Sequence, residues 1–230
     1  MTPLTAHWLG RMPYTQALAA QRAHRAQVKA GEADEAVWLL EHDPVITTGR
    51  RQVDSLPSAE VLAKTGTELV HTERGGLATW HGPGQLVAYV IVDAWSRSLG
   101  ARGLVCAVED GVLAYLAQLG IAAHRRPGLP GVWVQKDKIC AVGMHFSGGV
   151  SMHGIALNLG PDLSGFSLIE PCGVTDGGTT SVDVLLGSAP TPQGAAPALG
   201  EALIQAIEAK TQQKGSEVAP KTVDVSDCQR

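Results

Sequence analysis

Val132-Trp133-Val134-Gln135-Lys136-Asp137-Lys138-Ile139-Cys140-Ala141-Val142-Gly143-Met144-His145-Phe146-Ser147-Gly148-Gly149-Val150 decides the architecture. Two β-branched, apolar runs, 132–135 and 138–142, flank the polar pair Lys136-Asp137, which predicts a β-hairpin. The second arm extends to Phe146. Ser147-Gly148-Gly149 forms the next turn, and Val150 to Leu159 reads as a third strand. Strands joined by such short turns pair antiparallel. Upstream, Leu86 to Val92 is a further apolar strand. Leu104, Val108, Val112, Tyr115 and Leu119 step by three or four and predict a helix over 102–119. Tyr14 to Ala30 is rich in Ala, Gln and Arg and ends at Gly31, the pattern of a helix with a glycine stop. Short strands are expected at 36–41, 45–48 and 68–73, with a small helix from Ser58 to Gly66. Gly187 to Pro197 reads as a linker, and a last amphipathic helix covers 196–210. The expected fold is a single α+β domain over 1–210, a mixed or antiparallel sheet packed with helices mainly on one face. The polar tail, 211–230, is expected to be disordered.

The 230 residues suffice for one sizeable core. With 44% hydrophobic and 17% charged residues, the composition is that of an ordinary globular protein. No apolar run is long enough for a membrane span, and the first residues lack a basic segment followed by an apolar run, so neither anchoring nor secretion is expected. A net charge of −4 argues against wholesale nucleic-acid binding. Cys106, Cys140, Cys172 and Cys228 form no CxxC pair and match no zinc spacing. Free thiols in a cytoplasmic chain are the simplest reading.

Four places carry chemistry-bearing residues. Arg74-Gly75-Gly76-Leu77-Ala78-Thr79-Trp80-His81-Gly82-Pro83-Gly84-Gln85 holds four glycines and a proline, which suits either close approach to a bound group or a tight connection between strands. Cys172, between Pro171 and Gly173, is either a displayed nucleophile or a small buried hydrophobe. Lys138 follows a hairpin turn. It is either a solvated cation or an amine that stabilises a thiolate and later takes a proton. His81 and His153 each precede glycine, and each reads as a carbonyl-polarising group or a structural histidine. No carboxylate or thiol spacing around them suggests a metal site. The pairs Arg50-Arg51 and Arg125-Arg126 are either solvated or a docking patch for an acidic partner.

Taken together and in order, these residues resemble the octanoyltransferases of lipoate biosynthesis, related in fold to biotin and lipoate protein ligases. The resemblance runs from Glu41-His42-Asp43-Pro44 through the 74–85 loop and Lys138-Ile139-Cys140-Ala141-Val142-Gly143. It continues through His153-Gly154-Ile155-Ala156-Leu157-Asn158 to Asp162-Leu163-Ser164 and Pro171-Cys172-Gly173. It implies transfer of an octanoyl group from octanoyl-acyl carrier protein to a lysine on lipoyl domains or glycine-cleavage H protein. Cys172 would be the acyl-accepting nucleophile and Lys138 its partner. Arg74, Gly75, Gly76, Leu77, Ala78, Thr79, Trp80, His81, Ala141, Val142, Gly143, Gly154, Ile155 and Ala156 would bind the acyl group, with His153 assisting. No metal, nucleotide or other cofactor is implied, because the thioester arrives activated. The alternative is an ATP-dependent lipoate or biotin protein ligase, which needs no nucleophilic cysteine.

Overall fold

The computed structural model describes residues 3–53, 55–160, 162–169 and 176–216. Among these, ten strands form two sheets. The larger contains β1 (Thr5–Met12), β2 (Ala36–His42), β6 (Gln85–Ile91), β7 (His124–Arg126), β8 (Leu129–Val134), β9 (Asp137–Ser147) and β10 (Val150–Asn158), in the order β1-β2-β6-β10-β9-β8-β7. All neighbours pair antiparallel except β1 and β2, so the sheet is mixed. The smaller sheet places β3 (Val45–Thr48) between β4 (Glu68–His71), which is parallel to it, and β5 (Ala78–His81), which is antiparallel.

The expected meander is present as β8, β9 and β10. Helices α1 (Tyr14–Ala30), α2 (Ala59–Thr65) and α3 (Gly100–Gln118) fall within a few residues of their expected places. Gly31 closes α1 in the left-handed conformation, φ +73°, with its N–H directed at the carbonyls of Gln27 and Val28. Ser58 caps α2 through its side chain.

The expectation of a sheet covered mainly on one face does not hold. Every residue of β6 and of β10 is buried. On one face Leu86, Ala88, Val90, Ile155 and Leu157 pack with α3 and with α5 (Pro192–Ser216). On the other, Val87, Tyr89, Met152 and Ala156 pack with Tyr14, Ala17 and Leu18 of α1 and with Val45 of the small sheet. A strand buried on both faces loses its alternation and reads as one continuous apolar run, as Leu86 to Val92 does.

Three further differences have local causes. The 74–85 loop contains β5, because Ala78–His81 finds a partner in β3 that its own glycine-rich flanks do not announce. The edge strand β1 is mostly exposed and carries no apolar pattern; its backbone pairing with β2 holds it. The last helix is longer than expected at both ends. Thr191 accepts from the N–H of Gly194 at 3.1 Å and Pro192 takes the first helical position, a start signal inside the stretch read as linker. At the other end α5 runs on to Ser216, into the expected tail. It packs closely on α3 at Gly111, where a Cβ would stand 2.8 Å from Cα of Leu203.

A short helix, α4 (Val182–Leu186), lies between Ser181 and Gly187. Cys140 is a free, buried thiol, whereas Cys106 is disulfide-bonded and so departs from the expectation of free thiols.

Candidate active site

Between the two sheets lies a cavity of about 340 Å³. Its walls are largely the residues singled out in the sequence. Arg74, Gly75, Gly76, Leu77, Ala78, Thr79 and His81 line it from one side. Lys138, Ala141, Val142 and Gly143 of β9, with His153, Gly154, Ile155 and Ala156 of β10, line it from the other. Trp80 does not line it. Its ring packs against Phe166, centroids 5.6 Å apart, and fills the space where a Cβ on Gly82 or Gly165 would stand. Cys172 lies outside the described residues.

The segments Arg74–Gly76 and β9 touch through glycine. Gly75 N–H donates to the Met144 carbonyl at 3.0 Å, and a Cβ on Gly143 would stand 3.2 Å from the Gly75 carbonyl. Below that contact, Gly49 N–H donates to the Leu77 carbonyl and Arg50 N–H to the Arg74 carbonyl, each at 3.1 Å. Arg74 itself is buried. Its guanidinium donates to the Thr47 hydroxyl from Nε at 3.1 Å, to the Thr47 carbonyl at 2.6 Å and to the Gly75 carbonyl at 2.9 Å. The arginine therefore shapes the loop from within, by holding the Gly75 carbonyl to β3 through Thr47.

His81 begins a chain of buried hydrogen bonds. Gln85 Nε2 donates to Asn158 Oδ1 at 2.9 Å and to the Trp80 carbonyl at 3.2 Å, which leaves Gln85 Oε1 as an acceptor. His81 Nδ1, 2.7 Å from that oxygen, must therefore carry the proton. Its Nε2 faces the Thr47 hydroxyl at 3.4 Å. Burial holds the His81 pKa down at about 3, so the ring is neutral with its one N–H already engaged. It has no donor left for an oxyanion. Asn158 Nδ2 continues the chain to the Thr180 carbonyl at 3.0 Å.

That segment reaches Lys138. Lys138 N–H donates to the Gly178 carbonyl at 2.9 Å, and Thr180 N–H donates to the Lys138 carbonyl at 3.0 Å. The ammonium lies 4.7 Å from the ring centre of Trp133. The side chain runs across β8, where a Cβ on Gly131 would stand 3.3 Å from Lys138 Cε. A hydrogen-bonded path thus ties the 74–85 segment to the lysine.

His153 occupies a different place. It pairs with Met144 across β9–β10, while Lys138 is six residues away along β9. Its backbone is left-handed, φ +59°, and its N–H donates to Gln21 Oε1 at 2.9 Å. Tyr14 and Tyr89 share this end of the cavity. Burial pushes the Tyr14 hydroxyl up to about 12. The Tyr89 hydroxyl stands 2.6 Å from His42 Nε2, while His42 Nδ1 is 2.9 Å from the Met12 carbonyl. Since a carbonyl only accepts, His42 Nδ1 is protonated and Tyr89 donates to Nε2. Sequence reading missed Tyr14 and Tyr89, which looked like ordinary core residues, and Trp133, which looked like a strand residue.

Two other expectations meet the geometry differently. Arg125 donates to Glu109 and Asp110, both at 2.8 Å, and Arg126 pairs with Asp176 at 2.7 Å while lying 4.7 Å from the Trp133 ring centre. Both arginines are committed to internal ion pairs. Cys140 is fully buried, and burial first and Glu109 second push its thiol well above the ordinary range. It is no candidate nucleophile.

The sequence profile of the lipoyl protein ligase A/B catalytic domain matches residues 13–204. A protein named octanoyltransferase from Chloroflexus aurantiacus is 44% identical over 195 residues, covering 83% of this chain and 87% of its own. Another of that name, from Clavibacter sepedonicus, is 41% identical over 206 residues, 85% of this chain and 86% of its own. The chain belongs to the octanoyltransferase family. As a member it is an acyltransferase, and its fold is that of the wider ligase group. A lipoate-protein ligase A bound with ATP superposes with a TM-score of 0.72 at 15% identity, covering 94% of this chain and 92% of that one. Biotin protein ligase from Aquifex aeolicus gives 0.52 at 12% identity, covering 93% of this chain and 73% of that one. At such identities the likeness concerns the fold alone. Among the described residues of this octanoyltransferase family member, no helix is long and apolar enough to cross a membrane.

Proposed function

We propose that the chain transfers an octanoyl group from octanoyl-acyl carrier protein to the ε-amine of a lysine on a lipoyl domain or glycine-cleavage H protein, by way of an acyl thioester on Cys172. The observation that carries this reading is the cavity. Its walls of Gly, Ala, Val and Ile suit a straight acyl chain, and Lys138 stands at one end. Burying the seven carbons beyond the carbonyl contributes about 6 kcal/mol at roughly 0.8 kcal/mol per carbon, enough to hold a donor with no charged group in the slot.

The chemistry follows from a thiolate beside an amine. Cys172 thiolate, stabilised by the Lys138 ammonium, attacks the thioester carbonyl. The C–S bond to the carrier breaks, and the leaving thiolate takes its proton from the Lys138 ammonium, which is left as a neutral amine. The acceptor amine, neutral, then attacks the acyl-Cys172 carbonyl and Lys138 takes its proton as the sulfur leaves. Because the N–H of His81 is bound to Gln85, backbone N–H groups are the donors for the oxyanion. Carrier and acceptor set the expected compartment, the cytoplasm.

Intact-mass analysis after incubation with octanoyl-carrier protein, without acceptor, is the direct test. The wild type should gain one octanoyl group and Cys172→Ser none. Turnover with an unmodified Cys172 would sink the two-step route. Labelling that needs free octanoate and ATP, and survives Cys172→Ala, would show the ligase alternative instead.

A further inference from the structure

We propose that His153 is the specificity-determining residue that closes the far end of the acyl slot and limits chain length to about eight carbons, an inference that rests on the octanoyl-transfer reading. Three independent features single this residue out. It lines the cavity beyond the small apolar positions Gly154, Ile155 and Ala156, where the wall changes from apolar to polar. Its imidazole is 2% exposed, and among the described residues neither ring nitrogen has a hydrogen-bond partner. Glu73 Oε2 is 4.0 Å from Nε2, beyond a hydrogen bond. Finally, its left-handed backbone is one that a non-glycine residue adopts only under constraint from its surroundings.

The dimensions fit. The Lys138 side chain turns toward Gly131, which brings its amine forward along β9 in the direction of Ala141. From Ala141 to Met144, the partner of His153, is three residues, about 10 Å of strand. The seven C–C bonds of an octanoyl group, each about 1.5 Å, span roughly 9 Å as an extended zigzag. An eight-carbon chain therefore lies along Ala141 to Gly143 and Gly154 to Ala156. Two further methylenes would be driven onto a buried polar ring, which leaves them without an apolar surface to cover. The same ring presents two nitrogens to anything polar at the chain's distal end.

The test is acyl transfer in competition, with carrier-protein thioesters of six, eight, ten and twelve carbons. His153→Gly accepts the left-handed backbone and removes the ring. His153→Asn accepts the same backbone and keeps a shorter polar group. At about fourfold per buried methylene, the ten-to-eight-carbon ratio of kcat/KM should rise roughly 15-fold in His153→Gly and less in His153→Asn. The ratio is internal to each variant, so a loss of folded protein does not move it. An unchanged ratio in both variants overturns the proposal. If the wild type transfers no octanoyl group at all, the broader reading fails. Calorimetric binding of free octanoate and decanoate then decides this one: a preference for decanoate gained in His153→Gly supports it, and equal preference in both proteins overturns it.

Discussion

His81 and His153 are both held near pKa 3, in each case first by burial. An unfolded histidine titrates near 6.5, so between about pH 6.5 and 3 the unfolded chain binds protons that the native chain refuses. Stability contributed by the two neutral rings is complete above about pH 6.5 and is lost as pH falls toward 3. Glu73, lowered to about 2 by its hydrogen bond from Arg22, acts in the same direction, but only below about pH 4.5. The free energy of unfolding should therefore fall by about 3 kcal/mol between pH 6.5 and 5, read from urea titrations. His81→Asn should remove about half of that slope. A flat profile over this range would mean that the rings are not buried and neutral. The histidines were visible in the sequence as residues before glycine. Their neutrality was not, because it comes from burial under segments far away along the chain: the Tyr14 ring stacks on His81 with centroids 5.8 Å apart, and Tyr89 stands edge-on to His153 at 6.3 Å.

At the level of elements, the contact between β3 and the Arg74–Gly76 segment shapes one wall of the cavity. Gly49 follows β3 directly. A Cβ there would collide with the carbonyl of Gly76 and stand 2.8 Å from that of Arg74. These are backbone atoms and cannot rotate away. Gly49→Ala should push the loop into the cavity, costing about 1–3 kcal/mol of stability and at least tenfold in acyl transfer, measured as kcat/KM beside a denaturant midpoint. Activity within twofold of wild type would show that the loop position is not part of the site. Helices α1, α2 and α3 were legible because periodicity and glycine stops are local signals. Strands β1 and β5 were not, since each exists only through its partner.

Across the whole molecule, a chain of net charge −4 is proposed to receive an acidic carrier protein. Of the four arginines considered for that contact, Arg125 and Arg126 are engaged in ion pairs with Glu109, Asp110 and Asp176. Arg50 and Arg51 are exposed, and Arg51 lines the cavity. They are the remaining candidates for steering the donor to the slot. The double variant Arg50→Glu, Arg51→Glu should raise KM for the octanoyl carrier about tenfold at low salt, and added salt should then weaken binding less than in the wild type. An unchanged KM and salt response would remove this face from consideration. The sheet sandwich was also invisible at this scale in the sequence, because a strand buried on both faces gives the same apolar run whatever covers it.

The amino-acid order alone determined the local pieces: helix ends marked by glycine, the β8–β10 meander, and the separate segments in which the family's chemistry resides. Folding decided how those segments meet. Lys138 and the glycine-rich segment line one cavity only because β6, β10 and β9 lie side by side and the small sheet closes over them. Trp80 sits within the expected binding segment yet does not line the cavity, because its ring is packed against Gly82, Gly165 and Phe166. The reason is general: a side chain's identity is written at its own position, but its neighbours, its charge state and the direction it faces are set by strands and helices distant along the chain.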